Sequence, residues 1–137
     1  MSMYKSIEIE GNDCFGFKNY HCLETEDGTV ISSLYVKELS CSPLEYQNII
    51  IDPSIKKTFY LSSFGTVEKY RKQGYARKLL RKVKEEYKGS FIILSVYSET
   101  KDFSNKDLMK FYKSEGFIEL EPPKGMYPLT IQMYIEL

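Results

Sequence analysis

Apolar and polar positions alternate at the start of the chain, where Ile7 and Ile9 are interleaved with Glu8 and Glu10. Period two marks a half-buried strand. A second strand is expected over residues 15–25 and a third over 29–39, joined at Asp27-Gly28, a hairpin turn signal. Ser42-Pro43-Leu44-Glu45 reads as a helix start: Ser caps, Pro takes the first helical position, and Glu stands three residues after the cap. That helix must be short, because Ile49-Ile50-Ile51 and Asp52-Pro53 soon interrupt it. Residues 59–67 read as a strand. The period then changes: over 74–88, Ala76, Leu79, Leu80, Val83 and Tyr87 fall on one helical face, and Gly89 is a natural stop. The nearly continuous apolar run over 91–97 predicts a buried central strand. Ser104 caps a second helix with Asp107 three residues on, Leu108, Phe111 and Tyr112 share its inner face, and Gly116 ends it. Strands over 117–121 and 129–136 close the chain, the last with Leu129, Ile131, Met133 and Ile135 alternating with polar residues.

Antiparallel strands followed by strand–helix–strand–helix–strand and a final strand predict an α/β domain with a mixed sheet. Its middle units demand parallel pairing through right-handed crossovers. Without repeats, low-complexity stretches or linkers, residues 1–137 are expected to form one domain. Apolar residues at 42% and charged residues at 28% suffice for a real core. No apolar run approaches the ~20 residues that span a bilayer, and no secretory pattern opens the chain. The three cysteines, Cys14, Cys22 and Cys41, are odd in number and lack zinc or redox spacing, so free thiols in the cytoplasm, and no metal, are expected. The single histidine, His21, adjoins Cys22. Neighbours in a strand face opposite ways, which argues against a nucleophile pair.

The formal net charge of zero conceals a segregation. Residues 68–88 hold nine basic side chains and three acids, so the remainder of the chain is acidic. A basic segment in an acidic protein suggests an anionic ligand there, although a solvated helix face gives much of the same pattern. Nucleic acid is not expected, because no aromatics interleave with the basic residues along the outer face of 77–88.

Between the strand over 59–67 and the basic helix stands Arg71-Lys72-Gln73-Gly74-Tyr75-Ala76-Arg77. Gly74 and Ala76 allow the main chain to approach a ligand closely. The first N–H groups of a helix have no acceptor within it, and they favour an anion, which a pyrophosphate would satisfy. The turn resembles the acetyl-CoA pyrophosphate loop of the GNAT superfamily of N-acetyltransferases: Gln or Arg, two residues, Gly, one residue, then Gly or Ala. Further on, Asn105 stands seven residues before Tyr112, and Gly116-Phe117 follows after three more, which resembles that family's second signature. The two motifs occur in the family's order with a strand between them, and the resemblance covers residues 59–121.

The resemblance implies a set of roles. The strand end at Phe64, Thr66 and Val67 bonds the pantetheine arm of acetyl-CoA through its backbone. Main-chain N–H groups of Arg71, Lys72, Gln73, Gly74, Tyr75, Ala76 and Arg77 cradle the pyrophosphate. Asn105 meets the pantetheine side, and Tyr112 protonates the departing thiolate. The chemistry is reasonable in its own terms, because a phenol of pKa ~10 can donate to a thiolate. Tyr112 also suits a core position, and both readings hold if the ring packs while the hydroxyl faces the cleft. The attacking amine, of pKa ~10.4 if it is lysine-like, needs a base or a water relay. No carboxylate lies within residues 59–67, and Glu38, Glu45 and Glu99 are distant candidates of which none is favoured.

Two departures bear on the acceptor. In the family two helices usually follow the first strand, whereas here only about residues 11–14 are available. The link from Tyr97 to Asn105 is also longer than usual. The acceptor side is therefore reduced or rebuilt, with residues 41–57 the available material, and an open cleft suits a protein lysine or another macromolecular amine. A small-molecule amine acceptor, or a CoA-binding module without turnover, are the alternatives; retention of Tyr112 speaks against the second.

Overall fold

A computed structural model of the chain describes residues 2–9, 18–39, 57–98, 103–120 and 131–137. They form seven strands and two α-helices in the order β1 (Met3–Ile9), β2 (Lys18–Glu24), β3 (Val30–Leu39), β4 (Thr58–Thr66), α1 (Tyr75–Glu86), β5 (Phe91–Val96), α2 (Asn105–Ser114), β6 (Ile118–Glu119), β7 (Ile131–Glu136). This is the α/β order expected. The helix start at Ser42, the residues Leu129 and Glu121, and Cys14, Cys41, Glu45 and Glu99 lie outside the described residues. The chain divides into two compact units, one of residues 1–38 and 59–88, the other of 39–58 and 89–137.

In the first unit the strands lie in the order β1-β2-β3-β4. β1 and β2 are antiparallel, as are β2 and β3, with Ile7, Tyr20 and Tyr35 in one cross-strand row. The ladder shifts at Leu23/Glu24 just before the hairpin turn, where Gly28 N–H bonds the Thr25 carbonyl at 3.0 Å. Helix α1 turns Leu79, Leu80 and Val83, all fully buried, against this sheet. Each such side chain stabilises the fold by roughly 1.5–3 kcal/mol.

The structure corrects the expected burial of β1. Period two is present, but Ile7 and Ile9 are 50% and 41% exposed. The opposite face is the one turned toward α1, because Tyr4 stands on it and bonds both His21 and Glu86. A polar network rather than apolar contact therefore sets the facing of this strand.

In the second unit the strands run β5-β7-β6, both pairs antiparallel, from Phe91 opposite Glu136 to Val96 opposite Ile131. Phe91, Ile92, Ile93, Leu94 and Val96 are all buried, as a continuous apolar run demands. Tyr97 falls outside the strand and is 64% exposed. β6 is only two residues long. Phe117 instead belongs to the end of α2, its N–H bonding the Tyr112 carbonyl at 3.0 Å. A side chain at Gly116 would be strained: φ is +97°, and an added Cβ would stand 3.1 Å from Ile135 Cδ1, which would have to shift.

Candidate cofactor and active site

The strand end and the basic turn form one locked element within the first unit. Ser32 donates through Oγ to the Gly65 carbonyl at 2.9 Å and lies 3.0 Å from the Thr66 hydroxyl, while Val67 N–H bonds the Ile31 carbonyl at 2.8 Å. These bonds fix the last residues of β4 on β3. A 3-10 turn at Glu68–Tyr70 follows. Arg71 then reaches back, its Nε donating to the Thr66 carbonyl at 3.0 Å, and the Gln73 side chain donates to the Lys69 carbonyl at 3.0 Å. The rings of Tyr70 and Tyr75 meet edge to face at 5.9 Å. Thus Thr66, Val67, Arg71 and Gln73 are brought together by their own hydrogen bonds, with half-buried Phe64 just upstream in β4.

The turn enters α1 through two left-handed residues, Lys72 at φ 62° and Gly74 at φ 84°. Gly74 is the N-cap, so no side chain caps the helix, and the first turn holds no acid. The first intrahelical bond is that of Lys78 N–H to the Gly74 carbonyl, at 3.1 Å. The helix supplies no acceptor for the N–H groups before it, including those of Tyr75, Ala76 and Arg77. Among the described residues, its chain neighbours aside, nothing lies within 4 Å of where a Gly74 Cβ would sit. Donors without an acceptor in their own helix and the positive end of a helix dipole suit an anionic group such as a pyrophosphate.

Sequence reasoning did not find Ser63, whose φ is 53° in the middle of β4. A non-glycine residue in this region breaks the alternation of a strand as a bulge does. β4 accordingly passes from buried Leu61 to exposed Ser63 and Gly65 before the turn. A serine in a strand carries no signal of this conformation.

In the second unit, α2 opens on a complete capping box: Ser104 Oγ accepts from Asp107 N–H at 3.1 Å, and the Asp107 carboxylate accepts from Ser104 N–H at 3.2 Å. The bonds to Ser104 hold the Asp107 carboxyl below the usual carboxylate range. Asn105, the first residue of the helix, is exposed, and its Oδ1 accepts the Ser98 N–H at 2.7 Å. The residue assigned to the cofactor therefore also ties the end of β5 to the start of α2. Tyr112 lies two helical turns further on, 3% exposed, its ring 5.5 Å from those of both Phe111 and Phe117. Its ring position is built by packing.

His21 is a structural residue. It is fully buried and faces α1, while Cys22 pairs with Lys5 and Ser33 on the other face of β2. Tyr4 donates to the Glu86 carboxylate, so its oxygen accepts from His21 Nδ1–H at 2.7 Å. Glu86 also lies 3.1 Å from Nδ1. On the other side His21 Nε2 accepts from the Tyr87 hydroxyl at 2.8 Å, and Asn19 donates to the Tyr87 oxygen at 3.1 Å. This wiring assigns the neutral Nδ1–H tautomer. Burial lowers the histidine's pKa, partly opposed by Glu86. Burial also raises the phenols of Tyr4 and Tyr87.

Known proteins share this fold. The model of the acetyltransferase (GNAT) family matches residues 15–117, and the chain belongs to that family. No curated protein matches it. Among solved structures, the Bacillus subtilis N-acetyltransferase YlbP in complex with coenzyme A superposes with a TM-score of 0.67 at 10% identity, covering 100% of this chain and 97% of that one. Arabidopsis thaliana NAA60 in complex with acetyl-CoA gives a TM-score of 0.63 at 16% identity, with 96% of each chain covered. Arabidopsis thaliana Naa50 bound to the bisubstrate analogue CoA-Ac-MVNAL gives 0.59 at 17% identity, over 86% of this chain and 72% of that one. At such identities the likeness is one of fold.

Proposed function

We propose that this chain, acting as a single acetyltransferase domain in the cytoplasm, moves an acetyl group from acetyl-CoA to a primary amine on a protein or another macromolecule. The observation that carries the reading is the turn into α1: a left-handed Gly74 with open space above it, leading to a helix end without a side-chain cap or an acid. Backbone N–H groups from Lys72 to Arg77 take the pyrophosphate, the Arg71 N–H being held by the Glu68 carbonyl at 3.2 Å, and the backbone around Phe64, Thr66 and Val67 takes the pantetheine arm. Asn105, whose Oδ1 is engaged with Ser98, offers its amide N–H to the same arm.

When the amine nitrogen bonds to the thioester carbonyl carbon, charge collects on the carbonyl oxygen, and backbone donors at the strand end stabilise it. The carbon–sulfur bond then breaks, and Tyr112 gives its proton to the thiolate. The amine's own proton leaves to solvent or to a base that the described residues do not single out; Glu38 is exposed on β3.

A macromolecular acceptor is favoured by the connection between β1 and β2, antiparallel neighbours separated by eight residues. That length cannot hold a helix pair enclosing a small molecule. The bisubstrate complex of Naa50, whose analogue carries a peptide, supports the same acceptor class by analogy of fold. The test is a host lysate incubated with the protein and labelled acetyl-CoA. Label on protein is expected; efficient acetylation of polyamines or aminoglycosides with none on protein would refute the acceptor assignment.

A further inference from the structure

β3 turns one row of side chains toward α1. Its register with β2 sets Ser32 opposite Leu23 and Leu34 opposite His21, the residue bonded by Tyr87 at the C-cap of α1. Ser32, Leu34 and Val36 alternate onto that face, and all three are buried. Leu34 and Val36 suit an apolar row. The hydroxyl of Ser32 does not, because it costs free energy there unless its hydrogen bonds are met.

Ser32 meets them at the end of β4. Its Oγ donates to the Gly65 carbonyl at 2.9 Å. That spends the single serine proton, so across the 3.0 Å to Thr66 the threonine hydroxyl donates and Ser32 accepts. Beside them, Val67 N–H donates to the Ile31 carbonyl at 2.8 Å. The grip matters because Ser63, at φ 53°, breaks the regular course of β4 two residues before Gly65. Where a strand is kinked in this way its ladder is locally disrupted. The grip also has a direction. In an extended chain the N–H and C=O groups of successive residues point to opposite edges. The Gly65 carbonyl and the Val67 N–H both point to β3, so the N–H and C=O of Thr66 point away from it. The Thr66 carbonyl accordingly meets Arg71 Nε at 3.0 Å. The Thr66 N–H shares that direction.

We propose that Ser32 is a positioning residue for the cofactor: its hydroxyl locks Gly65 and Thr66 so that the Thr66 N–H is aimed at the pantetheine arm of acetyl-CoA. The inference rests on the reading of this strand end as the pantetheine site. Ser32, itself buried, acts only through the backbone that it holds. An alanine would fill the same place in the row and leave the strand end without the grip.

Two ligands that share a diphosphate separate this role from a merely stabilising one, since acetyl-CoA carries the pantetheine arm and ADP does not. The whole chain, as wild type and as Ser32→Ala, is titrated calorimetrically with acetyl-CoA, and with ADP by displacement. The variant should bind acetyl-CoA about five- to tenfold more weakly, the contribution of one well-aligned hydrogen bond, and should bind ADP as wild type does. Ser32→Cys fills nearly the same space with a weaker donor. It should show a smaller loss of the same kind, and it carries the comparison if the alanine variant does not fold. A variant that melts lower yet binds acetyl-CoA as tightly as wild type, or that loses affinity for both ligands equally, would overturn the proposal and leave the pyrophosphate site standing. If wild type bound ADP as tightly as acetyl-CoA, the pantetheine reading of the strand end would fall, and the proposal with it. Failure of wild type to bind either ligand would remove the pyrophosphate reading itself.

Discussion

Arg71 donates through Nε to the carbonyl of Thr66 at 3.0 Å and so fastens the turn before α1 to the strand that precedes it. The Nε of the side chain that opens the resembling motif is thereby engaged with the protein, and on the proposed reading the backbone of the turn carries the pyrophosphate.

Gly74→Glu should therefore abolish acetyl-CoA binding. It places a side chain and a negative charge in the space above the turn, at a φ of 84° that glycine alone adopts without cost. Wild type should gain thermal stability on adding acetyl-CoA, since a ligand that binds only the native state stabilises it by mass action. The variant should melt cooperatively and gain nothing. Equal shifts in both proteins would remove the pyrophosphate assignment.

Tyr112→Phe should lower kcat by ~10²–10⁴-fold, the usual contribution of a positioned acid, while leaving acetyl-CoA affinity nearly unaltered. The ring survives, and with it the packing against Phe111 and Phe117. A donor with a better leaving group than the CoA thiolate should partly rescue the rate. Steady-state transfer with a common acceptor, beside calorimetric cofactor binding, makes the comparison. Turnover within twofold of wild type would leave Tyr112 a core aromatic only.

His21 gives the fold a pH dependence whose sign follows from burial. Its pKa is lowered in the folded state, so below the unfolded value of about 6.5 the unfolded chain binds more protons. Stability contributed by neutral His21 is present above that value and is lost as pH falls below it. The melting temperature should drop between pH 7.5 and 5.5, and more steeply in wild type than in His21→Leu. The variant should also be less stable at pH 7.5 by ~1–3 kcal/mol, because the hydroxyls of Tyr4 and Tyr87 lose a buried partner. Identical pH profiles for the two proteins would show that His21 binds protons equally in the folded and unfolded chains, so that burial does not lower its pKa.

The elements governed by local chemistry were legible in the sequence. Both helices fall within two residues of expectation, because Ser104 and Asp107 announce one cap and the stripe of Leu79, Leu80 and Val83 announces the other helix's inner face. Of the site, the Gly74 turn was readable from its glycine and its basic surroundings. The facing of β1 was not, since it depends on a Tyr4–His21–Glu86 network whose members lie up to 82 residues apart. Nor was the kink at Ser63, a conformation imposed on a residue type that does not require it. The Arg71–Thr66 and Asn105–Ser98 bonds were also hidden, because a motif specifies residue types and leaves the direction of each side chain to the fold.

The Asn105–Ser98 bond has a consequence for engineering. It joins the end of β5 to the first residue of α2, so Ser98 and Asn105 themselves hold the spacing of those two elements. Lengthening a chain connection costs only about 0.6 kcal/mol for each doubling of its length. With that bond intact, an epitope inserted between Ser98 and Asn105 should leave α2, and Tyr112 on it, in place.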